Sequence, residues 1–386
     1  MLVPVVLLVL ALALLTAESL IVRRRVNSIS TRVHVNGTRG KSSVTRYIAA
    51  GLRAANMRCW GKVTGVHPTI IKPDGSALLI QRRGGARVQE QFRIISRAAR
   101  DGVQALVLEC MSIRPELQQL EGRHFRPHVY ILTNVKDDHR EALGDSLTEQ
   151  AIALCSAMAP GSTVITTDDD HLPILREIAA RRGNKVIVAG TLSPEQKESL
   201  PEGVFAVNVA LAVAACRECG VPEKISFPAI LNEAAKSVRI AAQIGDAERF
   251  HVVDGFAVND VPSARDFIEY WQQRLPETSN LVVLFNARAD RPLRSKVFAE
   301  YLPTISNLKR VIVFGTHAPY MKMALISQGY PRESVTLWTS EQVATPVKAL
   351  SSLGLTSQDL AIGIGNIGGD GHHVSEVLAG EVASAV

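Results

Sequence analysis

A short glycine-containing turn at residues 37–42 carries the clearest chemical signal in this sequence. Its letters, G-T-R-G-K-S, follow a β-branched, strand-like run and precede a long helical run. Gly37 and Gly40 allow a tight backbone turn that directs N–H groups at an anion. Lys41 adds positive charge, and Ser42 offers a hydroxyl group to Mg²⁺. The turn therefore predicts an ATP-phosphate site formed by Asn36, Gly37, Thr38, Arg39, Gly40, Lys41, Ser42 and Ser43.

The spacing of this turn differs from that of the common phosphate loop, G-x-x-x-x-G-K-[ST], because Val35 stands at the position of the first glycine. A chance glycine–lysine turn is the alternative interpretation. The strand-like run before the turn and the helical run after it favour a phosphate loop, since this function needs a strand, a turn and a helix in that order.

Carboxylates follow two other apolar runs. Glu109 closes the run A-L-V-L-E, and the segment 134–140, N-V-K-D-D-H-R, follows a second run. A carboxylate at the carboxyl end of a parallel strand faces the ligand crevice of an open α/β sheet, and its oxygen is a suitable ligand for Mg²⁺. The alternatives are a glutamate that caps the following loop and a solvent-exposed polar turn.

The elements that must position these residues alternate between strands and helices. Strand-like runs at 103–109, 128–133, 163–167 and 185–189 precede an alanine-rich helix around 204–219. This alternation predicts a mainly parallel sheet with crossover helices, an α/β fold. A second α/β series follows, with strands at 250–254, 280–286, 310–314, 335–338 and 360–364, and the break between the two series falls near residues 240–249.

The N-terminal residues predict a membrane anchor. Residues 2–22 are almost wholly apolar apart from Glu18, and Arg23 to Arg25 follow at once. About 20 apolar residues span a bilayer, and the arginines favour a cytoplasmic position for the rest of the chain. We expect an anchor at 1–22 and a basic linker at 23–30. A cleaved signal peptide is the alternative, which the absence of a charged n-region disfavours.

The amino-acid composition indicates which classes of ligand this protein can bind. The net charge of +6 suits anionic ligands. Aromatic residues make up only 5% of the chain and are not interleaved with basic residues, which argues against a nucleic acid as partner. The five scattered cysteines fit a reducing compartment, and Cys216-x-x-Cys219 lies in an alanine-rich run that favours helix packing over metal binding. The letters G-I-G-N-I-G at 363–368 resemble a dinucleotide fingerprint, but too little chain follows for the second strand that this fingerprint needs.

Several of these segments together resemble a known family. The anchor, G-T-R-G-K-S, L-E-C-M, D-D-H and G-F-A-V-N-D are similar to the membrane-anchored ligase subunits of poly-γ-glutamate synthases, in the Mur ligase and folylpolyglutamate synthase superfamily. The resemblance implies a Mur-ligase-type ATP-binding central domain at 31–245 and a smaller Rossmann-like domain at 246–386. It also implies ATP and Mg²⁺ as cofactors.

The resemblance also assigns roles to individual residues. His139 would bind Mg²⁺ with Ser42 and Glu109, so that Lys41, Glu109 and His139 form the catalytic set. Asn208 would contact adenine, with a helix N-cap as its alternative, and Arg239 would contact the phosphates. The D-G-F-A-V-N-D-V-P-S segment departs from the superfamily pattern at Val258 and Asp260, and Leu154 stands about where many members carry a carbamoylated lysine. The implied substrate-binding residues are Asn259, Arg288, Asp290 and Arg291.

The implied function is an ATP-dependent amide ligase that joins glutamate units through a γ-carboxyl acyl phosphate. Its partners would be glutamate, the growing γ-glutamyl chain and small integral-membrane subunits of a synthase complex. It would lie in the bacterial cell membrane with a single span and a cytoplasmic catalytic part. Two alternatives stay open: a membrane-tethered nucleotide switch or ATPase subunit, and a ligase that adds glutamate to a small molecule, as folylpolyglutamate synthase does.

Overall fold

The structure, a computed structural model, describes residues 2–65, 68–82, 86–201, 203–236, 242–244 and 250–384. The chain divides into two compact units, residues 1–238 and residues 239–386. The boundary expected between residues 245 and 246 lies a few residues beyond this division. Both units are α/β, as the alternating runs predict.

The described residues of the first unit form an eight-stranded sheet with the order β4-β3-β2-β5-β1-β6-β7-β8. Its pairs are parallel except β2–β3 and β3–β4, which are antiparallel. The central strands are buried along their whole length, which explains their nearly continuous apolar runs. The strands are β1 Thr31–Asn36, β2 Cys59–Val63, β3 Thr69–Ile71, β4 Ala77–Leu79, β5 Ala105–Glu109, β6 Val129–Leu132, β7 Thr163–Thr166 and β8 Lys185–Val188.

Helices cover both faces of this sheet, and one apolar helix precedes it. Val44, Ile48 and Leu52 recur at helical spacing in α2 and pack with α9 and α10 on one face. Helices α3 and α4 pack on the other face. The helices are α1 Leu2–Asn27, α2 Lys41–Ala54, α3 Gln89–Arg100, α4 Pro115–Phe125, α5 Arg140–Leu143, α6 Leu147–Leu154, α7 Leu172–Arg181, α8 Pro194–Glu198, α9 Ala206–Glu218 and α10 Glu223–Ala235.

Helix α1 is continuous through the segment expected to be a linker. Among the described residues, Val3–Asn27 is the helix whose length and composition would allow it to cross a bilayer. The buried guanidinium of Arg32 donates to the backbone carbonyls of Val26 (3.3 Å), in the last turn of α1, and Ile29 (2.6 Å), just beyond it. Residues 23–27 are therefore helical, and their connection to β1 is fixed by hydrogen bonds.

In the second unit, the described residues form a six-stranded sheet with the order β13-β12-β11-β14-β10-β9, parallel except for β10–β9. Helices pack on both faces of this sheet. The strands are β9 Ala242–Ile244, β10 Phe250–Asp254, β11 Asn280–Asn286, β12 Leu308–Phe314, β13 Val335–Leu337 and β14 Asp359–Ile364. The helices are α11 Val261–Arg274, α12 Pro292–Tyr301, α13 Ala318–Ser327, α14 Ser340–Ala344, α15 Pro346–Ser351 and α16 Asp370–Ser384.

Candidate active site

The glycine turn connects the end of β1 to the start of α2. Gly37 and Gly40 have positive φ angles of 126° and 82°, which side chains with a Cβ rarely adopt. A Cβ atom on Gly37 would lie 2.1 Å from Thr133 Oγ1, and one on Gly40 would lie 2.6 Å from Asn208 Oδ1. Both the backbone angles and the lack of space therefore require glycine, and the turn lies tightly between the loop after β6 and helix α9.

The first turn of α2 can bind an anion. Gly40 occupies the N-cap position without a side-chain cap, and the first turn contains no acidic residue. The first N–H groups of a helix have no intrahelical acceptor, and the helix dipole favours negative charge there. This cradle of glycine and unpaired amide groups fits a nucleotide phosphate.

The ammonium group of Lys41 lies within the turn. Its Nζ donates to the backbone carbonyls of Gly37 (2.6 Å) and Thr38 (3.2 Å). Burial lowers the pKa of Lys41, and the carboxylate of Glu109 opposes this change. A bound phosphate would offer the ammonium a charged acceptor in place of neutral carbonyl groups.

Ser42, in the first turn of α2, is in direct contact with Glu109, at the end of β5, although they are 67 positions apart in the sequence. The parallel pairing of β1 with β5 places Glu109 opposite Val35, beside the turn. Ser42 Oγ donates to Glu109 Oε2 at 2.8 Å, and the Thr64 amide donates to the same oxygen at 2.8 Å. Glu109 is only 3% exposed. A hydroxyl and a carboxylate held together in this way are hard oxygen donors that fit Mg²⁺.

The loop after β6 holds the glycine turn through paired hydrogen bonds. The Arg39 amide donates to Asn134 Oδ1 (3.0 Å), and Asn134 Nδ2 donates to the Arg39 carbonyl (3.2 Å). Thr38 Oγ1 accepts from the Lys136 amide (3.0 Å) and donates to the Lys136 carbonyl (3.2 Å). Asn134 is thus a residue of the site that was not predicted from the sequence. Its position directly after an apolar strand was the available signal.

Asp138 contacts the glycine turn, and His139 lies beside it. Asp138 Oδ2 forms an ion pair with the guanidinium of Arg39 at 3.0 Å. His139 has a left-handed backbone with a φ of 47°, and its Nδ1 lies 3.2 Å from Glu141 Oε1. Acidic neighbours on the imidazole suit a histidine that binds a cation through its other nitrogen. Joint metal binding by His139, Ser42 and Glu109 stays a prediction.

Two asparagines expected at the nucleotide occupy different environments. The Asn36 side chain is buried and donates to Gln118 Oε1 (2.7 Å) and Tyr130 Oη (3.0 Å), so any contact of Asn36 with the nucleotide would use its backbone. Asn208 lies inside α9, whose N-cap residue is Phe205, so the alternative interpretation of Asn208 as an N-cap is wrong. Its contact with Gly40 places it against the phosphate loop. Adenine binding by Asn208 stays a prediction.

In the second unit, Arg288 is paired within its own loop. Its Nε and Nη2 donate to the two carboxylate oxygens of Asp290 at 2.9 and 2.7 Å. A Cβ atom on Gly368 would lie 1.9 Å from Arg288 Nη1, so Gly368 leaves room for the guanidinium. The G-I-G-N-I-G segment therefore packs on the arginine loop. Residues 365–369 lie between β14 and α16, so this segment is a turn, as the sequence predicts.

The segment 254–263 combines a helix cap with an unpaired amide oxygen. Asp260 is the N-cap of α11 and accepts from the Ser263 amide at 2.9 Å, which gives a physical reason for an aspartate where proline is usual. The buried Oδ1 of Asn259 has no hydrogen-bond partner within the described part of the chain. An unpaired buried oxygen fits a ligand donor such as an ammonium group.

The two remaining predicted binding residues are Arg239 and Arg291. Arg239 lies outside the described residues. Arg291 is the residue before α12, and its amide donates to the Arg288 carbonyl at 3.1 Å.

The two cysteines of the Cys216-x-x-Cys219 segment pack in the protein core. Cys216, on α9, belongs to the core cluster that covers one face of the sheet, and Cys219 packs against this cluster, which confirms the packing interpretation. Burial raises the pKa of the Cys219 thiol to about 12, so this thiol is neutral at physiological pH.

Comparison with known proteins agrees with this geometry. The Mur ligase middle domain matches residues 35–211, and the poly-gamma-glutamate synthase CapB C-terminal domain matches residues 241–381. The capsule biosynthesis protein CapB of Bacillus anthracis is 29% identical over 93% of this chain and 78% of its own length. The PGA synthase CapB of Bacillus subtilis (strain 168) is 28% identical over 82% of this chain and 84% of its own length.

Solved structures share the fold at low sequence identity. E. coli FolC in complex with DHPP and ADP has a TM-score of 0.63 and 15% identity, covering 95% of this chain and 92% of that chain. The bifunctional folylpolyglutamate synthase/dihydrofolate synthase of Yersinia pestis, complexed with AMPPNP and Mn, has a TM-score of 0.64 and 15% identity. It covers 93% of this chain and 92% of that chain.

The fold, the phosphate loop and the domain matches define the class as a Mur-type ATP-dependent amide ligase. Within that class, the relatives matched across most of the chain and the C-terminal domain match are more specific. Across most of its length, the chain is therefore similar to the CapB ligases of poly-γ-glutamate synthesis.

Proposed function

We propose that this protein uses ATP to activate the γ-carboxyl group of a glutamate unit and joins it to the amine of another glutamate. The single observation that carries the proposal is the hydrogen bond between Ser42 and Glu109. It lies beside a turn whose two glycines have positive φ angles, as an anion-binding loop needs. The named functions of the CapB relatives support glutamate as the monomer.

The first unit supplies the groups for phosphoryl transfer. The amide groups at the start of α2 and the ammonium of Lys41 would hold the ATP phosphates and the charge that develops on them. Ser42, Glu109 and His139 would hold Mg²⁺, which when bound neutralises phosphate charge. A carboxylate oxygen of the substrate attacks the γ phosphorus, ADP leaves, and the amine of the second glutamate then displaces phosphate to form the amide.

The second unit supplies candidate groups for substrate recognition. Arg288 and Arg291 would bind carboxylates, because a guanidinium pairs with a carboxylate through two parallel hydrogen bonds. Arg288 forms this geometry with Asp290, which supports a carboxylate as the ligand of its guanidinium. The unpaired Oδ1 of Asn259 would accept a hydrogen bond from the substrate amine.

Membrane attachment through α1 is the finer part of the proposal. The side chains of Val3, Leu7 and Leu14 are more than 60% exposed, which is costly in water and favourable in a bilayer. Arg23, Arg24 and Arg25 at its end favour a cytoplasmic position for both units. Integral-membrane partner subunits would then receive the product at the membrane surface.

The test is ATP turnover by the full chain in membranes from cells that also express the partner subunits. We expect ADP release that depends on glutamate, and mass spectrometry should detect an oligomer with a repeat of one glutamate residue. The Lys41→Ala protein in matched membranes is the control. Glutamate-independent ADP release without polymer would favour a nucleotide switch, and glutamate added only to a small acceptor would favour a folylpolyglutamate-type ligase.

A further inference from the structure

A groove outside the nucleotide site combines apolar and cationic side chains. It encloses about 590 Å³ between the edge strand β4 and helix α3. Isoleucines and leucines form its floor, and one of them, Leu79, is 52% exposed. Arginines line its rim: Arg82, Arg87, Arg93 and Arg97.

The groove lies where the apolar helix enters the first unit. Val26, near the end of α1, belongs to the same buried cluster as Ile70 and Ile94, which also line the groove. Helices α1 and α3 are in contact, and Arg32 fixes the end of α1 to the unit. A bilayer around α1 would therefore meet the unit on the side that carries this groove.

The groove has an excess of positive charge. Among the described residues that line it, four are arginines and one, Glu90, is acidic. Glu90 forms ion pairs with Lys62 (2.9 Å) and Arg82 (2.7 Å). Although burial alone would raise the pKa of Glu90, these hydrogen bonds hold it at about 2, so its charge is already balanced by its own partners.

We infer that this groove binds an anionic phospholipid, with the phosphate on the arginine rim and the first acyl carbons on the isoleucines and leucines. The inference rests on the proposed membrane position of α1. An apolar floor beneath an arginine rim suits an amphiphile, because a soluble polyanion such as a γ-glutamyl chain would leave Leu79 exposed to water. Basic side chains at a membrane surface attract anionic lipids.

The test is native mass spectrometry of the full chain in detergent micelles during titration with phosphatidylglycerol. The wild type should bind this lipid, and Arg93→Gln/Arg97→Gln should bind it about thirtyfold more weakly, since each arginine near an anionic lipid contributes roughly a factor of five. The matched control is Arg176→Gln/Arg181→Gln, which removes two exposed arginines from α7 and should leave lipid binding unchanged. Equal binding by the groove variant and the wild type would overturn the inference.

Competition separates the possible ligands. Excess phosphatidylcholine, inorganic phosphate and a short poly-γ-glutamate should each fail to displace phosphatidylglycerol. Displacement by inorganic phosphate or by poly-γ-glutamate would overturn the assignment to a phospholipid. Thermal unfolding of the groove variant checks that its fold is intact. Failure of the wild type to remain with vesicles after alkaline extraction would instead contradict the membrane anchor, which distinguishes the two failures.

Discussion

In the first unit, the glycine turn at residues 37–42 is hydrogen-bonded to a loop that is distant in the sequence. In the second unit, Arg288 pairs instead with Asp290 of its own loop. Asn134 pairs with both backbone groups of Arg39, and Glu109 is 3% exposed where it meets Ser42. The side chains of Arg288 and Asp290 are 36% and 56% exposed. Partly or fully buried neighbours hold the glycine turn without a ligand, whereas the proposed role of Arg288 requires it to exchange Asp290 for a substrate carboxylate.

This difference predicts separate kinetic roles. A prepared site loses transition-state stabilisation when one of its groups is removed, which lowers kcat. A recognition group that exchanges one partner for another contributes mainly to binding, so its removal raises KM. Substitutions in the two units should therefore change different constants.

Lys41→Ala should have the largest effect. Removal of the ammonium leaves the phosphate charge without its cation, and we expect glutamate-dependent ADP release to fall roughly a thousandfold, mainly in kcat. The thermal midpoint should remain close to that of the wild type, because Lys41 is the first residue of α2 and is only partly buried. Lys224→Ala, at an exposed position of α10, is the control. An active Lys41→Ala protein would contradict the nucleotide assignment.

Glu109→Gln should have the next largest effect on activity. The amide keeps the shape of the side chain but loses the negative charge that Mg²⁺ requires, and we expect about a hundredfold lower kcat. Higher Mg²⁺ should restore part of the activity, which a magnesium titration will measure. Glu116→Gln, an exposed change on α4, should behave as wild type. A normal magnesium dependence of Glu109→Gln would show that Glu109 only caps its loop.

Arg288→Ala tests the second unit. Loss of one charged hydrogen-bonding partner should raise the KM for glutamate about thirtyfold, with little change in the KM for ATP. Steady-state titration of each substrate measures the two constants, and Arg332→Ala controls for loss of an exposed arginine in the same unit. An increase confined to the KM for ATP would reverse the roles assigned to the two loops.

The features that depend on residues adjacent in the sequence were predictable. The glycine turn, Glu109 at its strand end and the principal parallel strands were predictable, because local spacing and apolar runs determine them. The three-residue strands Thr69–Ile71, Ala77–Leu79 and Ala242–Ile244 were not predicted, because such short segments have no detectable periodicity. The parallel strand Cys59–Val63 was not predicted either, because Gly61 and Lys62 interrupt its apolar run.

Contacts between distant residues were not predictable from the sequence. The sequence predicts a basic linker at residues 23–30, yet residues 23–27 are helical and Arg32 binds the end of this helix. The pairing of Asn134 with Arg39 spans 95 positions and depends on β6 lying next to β1. Asp260 departs from the expected motif because it caps a helix, a role that becomes visible only when the start of α11 is known.

Asn134→Ala should have the smallest effect, and it tests whether outside support prepares the phosphate site. The substitution removes both hydrogen bonds between this side chain and the Arg39 backbone, while the bonds between Thr38 and Lys136 remain. Because the loop would sample more conformations before ATP binds, we expect about a tenfold higher Kd for an ATP analogue and a loss of stability of about 1–2 kcal/mol. Isothermal titration with a non-hydrolysable ATP analogue and thermal unfolding measure these changes. Asn307→Ala removes a comparable exposed bond, to the Ser279 carbonyl, and should leave ATP binding unchanged. Unchanged ATP binding by Asn134→Ala would mean that the glycine turn keeps its shape by itself, and the two units would then differ only in burial.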